Sequence, residues 1–200
     1  MTPSFWLGLL ALVAGVVCAW WIRAQSIGAH RRAMHAFYSL SEEIFAAASV
    51  AEIAEKLTTT LPAITQATSV RLYLVNRRTK SLESVPTAAD PEPMAASIEG
   101  ESDGLVAGAV KCFHSHTVVN IPDVRRNPLV NTGWKAGLPR SAMFIPLLAD
   151  SGVLGVLEAS STQRLGYFSA EEQATLQHLA KQIAASMKLD RKSTRLNSSH

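Results

Sequence analysis

From Phe5 to Ile22 the chain reads FWLGLLALVAGVVCAWWI, without one charged side chain. As a helix rising ~1.5 Å per residue, these 18 residues span about 27 Å, close to the ~30 Å hydrocarbon thickness of a bilayer. Trp6 stands at one end and Trp20 and Trp21 at the other, where a ring with one polar N–H favours the headgroup level. A cleaved signal peptide fits poorly, because Met1-Thr-Pro-Ser4 has no Lys or Arg and no small-x-small cleavage site follows the apolar run. A transmembrane helix is therefore expected over 5–22, behind a short tail of residues 1–4. Arg23, Arg31 and Arg32 follow the run and nothing basic precedes it. The positive-inside rule then gives a single-pass protein of the inner (cytoplasmic) membrane with its soluble part in the cytoplasm. Ala11, Gly15 and Ala19 repeat every four residues, a small-residue stripe compatible with two helices approaching closely.

The other end constrains the charge argument. Residues 190–200, Asp190-Arg-Lys-Ser-Thr-Arg-Leu-Asn-Ser-Ser-His200, resemble one translated frame of a common sequencing adapter. They are expected to be artefactual, with the natural protein continuing past Leu189. Without them Lys plus Arg falls from 19 to 16 and Asp plus Glu from 16 to 15, so the formal charge falls from +3 to +1. The basic balance then gives no reason to expect a nucleic-acid partner. Two cysteines, Cys18 and Cys112, are too few for a disulfide framework. A composition of 48% hydrophobic and 18% charged residues excludes a disordered chain.

Past the apolar run, Ala24 to Ala48 has no proline, and Ala33, Phe37, Leu40, Ile44 and Ala48 form one helical stripe. Ser49-Val-Ala-Glu52 has the form of a capping box and opens a second helix ending near Pro62. The period then changes from 3.6 to 2. Val70, Leu72 and Leu74 alternate with Arg71, Tyr73 and Val75, and Leu82 to Val85 is a partner strand. Ala88 to Asp103, with Pro91 and Pro93, reads as a mobile loop. Leu105 to Phe113 reads as a short helix, Thr117 to Ile121 as a strand, and Val124 to Arg140 as a long irregular segment. Ala142 to Leu148 and Val153 to Ser160 form a hairpin through Asp150-Ser-Gly152. A second capping box, Ser169 with Glu172, opens a helix running at least to Leu189. The fold class is α+β, an antiparallel sheet flanked by helices and covered by them on one face.

Five fragments, in this order, resemble a GAF domain: Gly104-Leu-Val-Ala-Gly108, Val118-Val-Asn-Ile-Pro-Asp123, Ser141-Ala-Met-Phe-Ile-Pro-Leu147, Gly152-Val-Leu-Gly-Val-Leu157 and Phe168-Ser-Ala-Glu-Glu172. The likeness covers residues 40–189, with 23–39 as a connecting helix. It implies a small-molecule pocket over the sheet, pairing of two copies through terminal helices, and the input half of a bacterial signalling protein. The expected output is a histidine kinase beyond residue 189. The cyclic-nucleotide-binding members carry Asn-Lys with Phe-x-x-x-Asp-Glu. Phe168, Glu172 and Gln173 match part of that motif, but the chain has no Asn-Lys dipeptide.

Nucleotide-binding, zinc-protease and serine-hydrolase motifs are absent, so no enzyme is expected within the segment. Phe113, Trp134, Arg140, Met143 and Phe144 are the candidate ligand-binding residues. An aromatic and a guanidinium over an apolar floor suit an anionic or heteroaromatic ligand. The plainer alternative is that Trp134 caps the core and Arg140 is solvated. A redox or haem-linked reading would use Cys112 with His114 and His116, which on a strand would share a face. Two ring nitrogens with no carboxylate or cysteine cluster are too few for a closed metal site, so no metal or cofactor is expected. A purely structural dimerisation module is the third reading.

Overall fold

The computed structural model describes residues 34–100, 102–130 and 138–197, with side chains of the last helix described to residue 188. The expected span at 5–22 and the start of the connecting helix lie outside the described residues. Among those that are described, no helix is long and apolar enough to cross a membrane.

Helix α1 covers residues 34–46 and buries Leu40 and Ile44, with Phe37 half-buried beside them. The expected capping box then opens α2 (Val50–Ile64): the Glu52 amide donates to Ser49 Oγ at 3.2 Å, and the Glu52 carboxylate accepts from the Ala48 amide at 2.9 Å. Pro62 sits inside the last turn of α2 rather than ending it. Strands β1 (Ser69–Asn76) and β2 (Ser81–Ser84) follow as a hairpin, and then a third strand, β3 (Ala95–Ser97), arises within the stretch expected to be a mobile loop. Three small residues give no alternation to detect. Their strand exists because Ala95 to Ser97 pairs with Ser81 to Glu83. Next come α3 (Val106–Ser115), β4 (Val119–Ile121), a single 3-10 turn (Val124–Arg126), β5 (Ser141–Ala149), β6 (Gly152–Ser161) and α4 (Ala170–Asn197).

The sheet is antiparallel throughout, in the order β3-β2-β1-β6-β5-β4. β6 is central, and Gly155 explains how β1 comes so close. A Cβ there would lie 2.1 Å from the backbone oxygen of Tyr73. At the edge, β4 stops opposite Phe144, and Pro146 stands just beyond it, where no outer neighbour needs an N–H.

Helices cover both faces of the sheet, not one. Val70, Leu72, Met143, Ile145, Leu147, Leu157 and Ala159 pack under α1, α2 and α4. Tyr73, Ala142, Phe144 and Val156, from the same strands, pack under α3. Strand residues alternate between faces, so β5 and β6 must be apolar almost continuously to serve two cores.

The chain ends sort into two poles. At one pole lie Met34 of α1, the end of α2, the start of β5, the end of β6 and the start of α4. Met34, Phe37, Gln66, Arg164, Ser169 and Glu172 line one groove there. At the other lie the β5–β6 turn and the α1–α2 junction, where Ser186 on α4 donates to Ile44 O at 3.2 Å and Lys188 pairs with Asp150.

Candidate functional site

On the α3 face, the central strand carries a carboxylate. Glu158 is fully buried, the only charged residue of β6. The register sets Arg71 of β1 on one side of it and Phe144 of β5 on the other. Tyr73 Oη donates to Glu158 Oε2 at 2.8 Å, whereas Oε1 has no hydrogen-bond partner among the described residues. The guanidinium of Arg71 approaches that oxygen only to 3.9 Å, because its Nε is engaged by Asp90. Asp90 is presented by a small bridge in which the Thr87 and Asp90 amides and carbonyls pair reciprocally at 3.1 Å. The polar chain thus runs from the sheet centre, Tyr73 and Glu158, outward through Arg71 to Asp90, whose side chains are partly exposed.

The electrostatics follow from that placement. Burial pushes the Glu158 carboxyl above the ordinary range, and Arg71, Tyr73 and Ser160 pull it back only in part. Burial and the adjacent carboxyl push the Tyr73 phenol up as well, so it stays a donor. An unsatisfied polar atom in a low-dielectric interior costs about 1–3 kcal/mol, so Oε1 is a site where a polar group of a partner would be favoured.

Of the five expected ligand residues, the four that are described do not converge. Phe144 lies on the α3 face, its ring pressed against Gly108, and half-buried Phe113 packs on the same layer. Met143 belongs to the opposite core, under the terminal helices, because adjacent strand residues point to opposite sides. Met143 and Phe144 therefore cannot line one pocket. Arg140 is exposed at the start of β5, where its backbone bonds Ser161 O and the Val124 amide. Trp134 lies outside the described residues.

The Cys112 and histidine constellation also comes apart. The helix expected to end at Phe113 runs to Ser115, so His114 is helical and His116 is its left-handed C-cap with φ 55°. The two rings are not on one strand face. His114 Nε2 meets Ile98 O at 2.8 Å. Cys112 is fully buried, and burial pushes its thiol up to about 12, against a smaller opposing pull from the Val119 backbone. A thiol so held is a poor nucleophile near neutral pH. Among the described residues no group of three His, Cys, Asp or Glu side chains could hold a metal ion.

Sequence reasoning passed over Glu158, Tyr73, Arg71 and Asp90. A detectable signal was present, since Glu158 interrupts an otherwise uncharged run from Gly152 to Ser161.

Compared with solved structures, the fold is similar to the GAF domain of an Acinetobacter phosphoenolpyruvate-protein phosphotransferase (TM-score 0.65, 14% identity, covering 82% of this chain and 97% of that one). It is similar also to the free methionine-R-sulfoxide reductase of Neisseria meningitidis (0.65, 18%, 80% and 91%) and to residues 122 to 287 of a methyl-accepting chemotaxis protein (0.62, 17%, 76% and 96%). No curated protein matches the sequence. The GAF domain family model matches residues 49–187, from the cap of α2 through the packed part of α4. The antiparallel sheet, α3 above its central strands and the terminal helices beneath them agree with that match, and the chain belongs to the GAF domain family.

Proposed function

We propose that the chain is a membrane-anchored sensory module of a signal-transduction protein. It is held by a single span at 5–22 in the inner (cytoplasmic) membrane, with the sheet in the cytoplasm. A small molecule is bound on the α3 face of the sheet, and two copies pair through their terminal helices. α4 carries the response to an output domain beyond residue 189, a histidine kinase. The observation that carries this reading is Glu158, a fully buried carboxyl with one oxygen that accepts no hydrogen bond among the described residues, set at the centre of the sheet face that α3 covers. Support for the helix route comes from the chain path. α1 and α4 pack on the reverse of the same strands, so a change in the spacing of β5 and β6 reaches both helices. Exposed Met34, Tyr38 and Phe45 lie along one side of α1, away from the sheet, and suit a second copy of the helix.

The test is native mass spectrometry of the full chain, released from detergent after purification from expressing cells. Wild type is expected to carry a small molecule that Glu158→Gln loses and Arg78→Gln keeps. A wild-type chain that is always empty, and whose melting temperature no metabolite pool raises, refutes the sensory reading.

A further inference from the structure

We infer that the pole where Met34 of α1 lies is a bilayer-contacting surface, with Leu165 and Tyr167 at headgroup level and Arg126 and Arg140 against anionic phospholipid. The inference rests on reading 5–22 as a membrane anchor.

The loop between β6 and α4 is tightly held and yet presents apolar groups to water. Arg164 donates from its amide to Ser161 Oγ at 3.1 Å and from Nη2 to Tyr167 O at 2.8 Å, while Ser141 Oγ donates to Arg164 O at 3.0 Å. Gly166 takes φ +111°, a conformation closed to most L residues, and its N–H binds Pro122 O at 2.8 Å. On either side of this glycine Leu165 is 57% and Tyr167 64% exposed. A pinned turn displaying two large apolar side chains forfeits little conformational entropy when it meets a partner. Tyrosine, with an apolar body and a polar tip, suits the membrane–water boundary.

The charges at this pole agree. The 3-10 turn joined to the loop through Pro122 carries Arg125 and Arg126, and the Val124 amide binds Arg140 O at 2.9 Å, which brings Arg140 alongside. All three arginines are exposed. Asp123 lies 3.7 Å from Arg126 Nε, but that arginine side chain is 90% exposed and keeps its guanidinium in water. The acids nearby are Asp123, whose Oδ1 caps the Arg125 amide at 3.1 Å, Glu171 on the first turn of α4, and Glu172, which is engaged by Arg164. Exposed guanidinia predominate, and Arg23, Arg31 and Arg32 add to them in the sequence between the span and α1.

The chain path aims this pole at the membrane. Met34, the first described residue of α1, lines the same groove as Arg164 and Ser169, so the chain leading from the anchor joins the described domain beside the loop. Residues 23–33 reach about 17 Å as a helix and no more than ~40 Å extended. Such a tether keeps the pole at high effective concentration near the lipid, so contacts too weak to recruit a free domain still orient a tethered one. The β5–β6 turn and the exit of α4 face the opposite way.

The experiment uses the full chain in vesicles of phosphatidylcholine with or without phosphatidylglycerol. An environment-sensitive dye is attached at Leu165→Cys, or at Ser151→Cys on the far pole, in a Cys18→Ala background. In phosphatidylglycerol vesicles the dye at 165 is expected to shift to the blue and to be quenched by a lipid-borne nitroxide, while the dye at 151 reports water. Replacing Arg126 and Arg140 by Gln reduces the docked-to-free ratio about fivefold per arginine, and salt does the same. A dye at 165 that reports water in both vesicle types, on a chain that alkaline carbonate fails to strip, overturns the contact and leaves the anchor standing. A chain stripped by carbonate overturns the anchor and the contact with it. A blue shift that is equal in neutral vesicles and indifferent to the arginines overturns the anionic-lipid assignment.

Discussion

Placing one methyl group on Gly108 tests whether the spacing between α3 and the sheet is set by a single contact. A Cβ at that position would stand 2.3 Å from Cε2, 2.6 Å from Cζ and 2.9 Å from Cδ2 of Phe144. Carbon atoms rest at ~3.5–4.0 Å, so ring and helix must part by more than about 1 Å. The ring has little room to move, being fully buried and paired through β5 with Val119 on one side and Glu158 on the other. Overpacking of this kind costs about 1–3 kcal/mol, and the better helix propensity of alanine offsets up to about 1 kcal/mol. Gly108→Ala is therefore expected to destabilise by about 1–2 kcal/mol. Phe144→Leu removes the offending ring edge at its own cost in packing. In the double variant the alanine becomes neutral or favourable, a coupling of about 1–3 kcal/mol between the two sites. Urea unfolding of the four chains in detergent, followed by circular dichroism at constant m, measures the cycle. If Gly108→Ala costs the same in the Phe144→Leu background as in wild type, the ring does not set the helix height, and the reasoning fails.

Three further outcomes follow from the burial and hydrogen bonding of single side chains. Because burial raises the Glu158 carboxyl above its ordinary value of 4.5, the fold binds its proton more tightly than the unfolded chain does, and stability is lost as pH rises from there. The melting temperature of Glu158→Gln should accordingly gain on wild type as pH rises from 4.5 toward neutrality, and a pH-independent difference would contradict the buried acid. Glu172 behaves in the opposite sense. Burial raises its carboxyl, but hydrogen bonds from the Ser169 amide, Arg164, the Ser169 hydroxyl and the Gln66 amide together hold it below the usual range. Glu172→Ala should cost about 2 kcal/mol above pH 4.5, the worth of hydrogen bonds to one charged group, and less as acid protonates the wild type; a chemical denaturation series across pH reads this. Cys112, in a Cys18→Ala background, should resist maleimide near neutral pH and react at full rate only in denaturant, so fast labelling of the folded chain would show the thiol to be accessible.

What was legible in the sequence was local and periodic. Both capping boxes act within four residues, and Ser49 with Glu52 and Ser169 with Glu172 bond as their spacing requires. The alternation at Val70 to Val75 and the turn at Gly152, with φ +104°, are likewise decisions of neighbouring residues. What was hidden depends on partners distant along the chain. β3 is a strand because β2 lies beside it. Cover on the second face comes from α3, whose short apolar run says nothing of which side it takes. The separation of Met143 from Phe144 needed only the two-residue period of a strand, but a run apolar at every position does not disclose that two cores exist. The Glu158 cluster joins residues 71, 73, 90 and 158; the register of β1 against β6 brings the first two beside Glu158, and the Thr87–Asp90 bridge presents Asp90 to Arg71.

That a single strand serves two cores has a consequence for how such a module diversifies. In β5 the residues meeting α3, Ala142 and Phe144, alternate with those meeting the terminal helices, Met143, Ile145 and Leu147. Two texts are interleaved, one read by whatever lies above the sheet and the other by the machinery below. Selection can rewrite the upper text, exchanging Phe144 or Glu158, and leave the lower one letter for letter intact. The layer above the sheet can thus change while the packing of the helices beneath stays as it is.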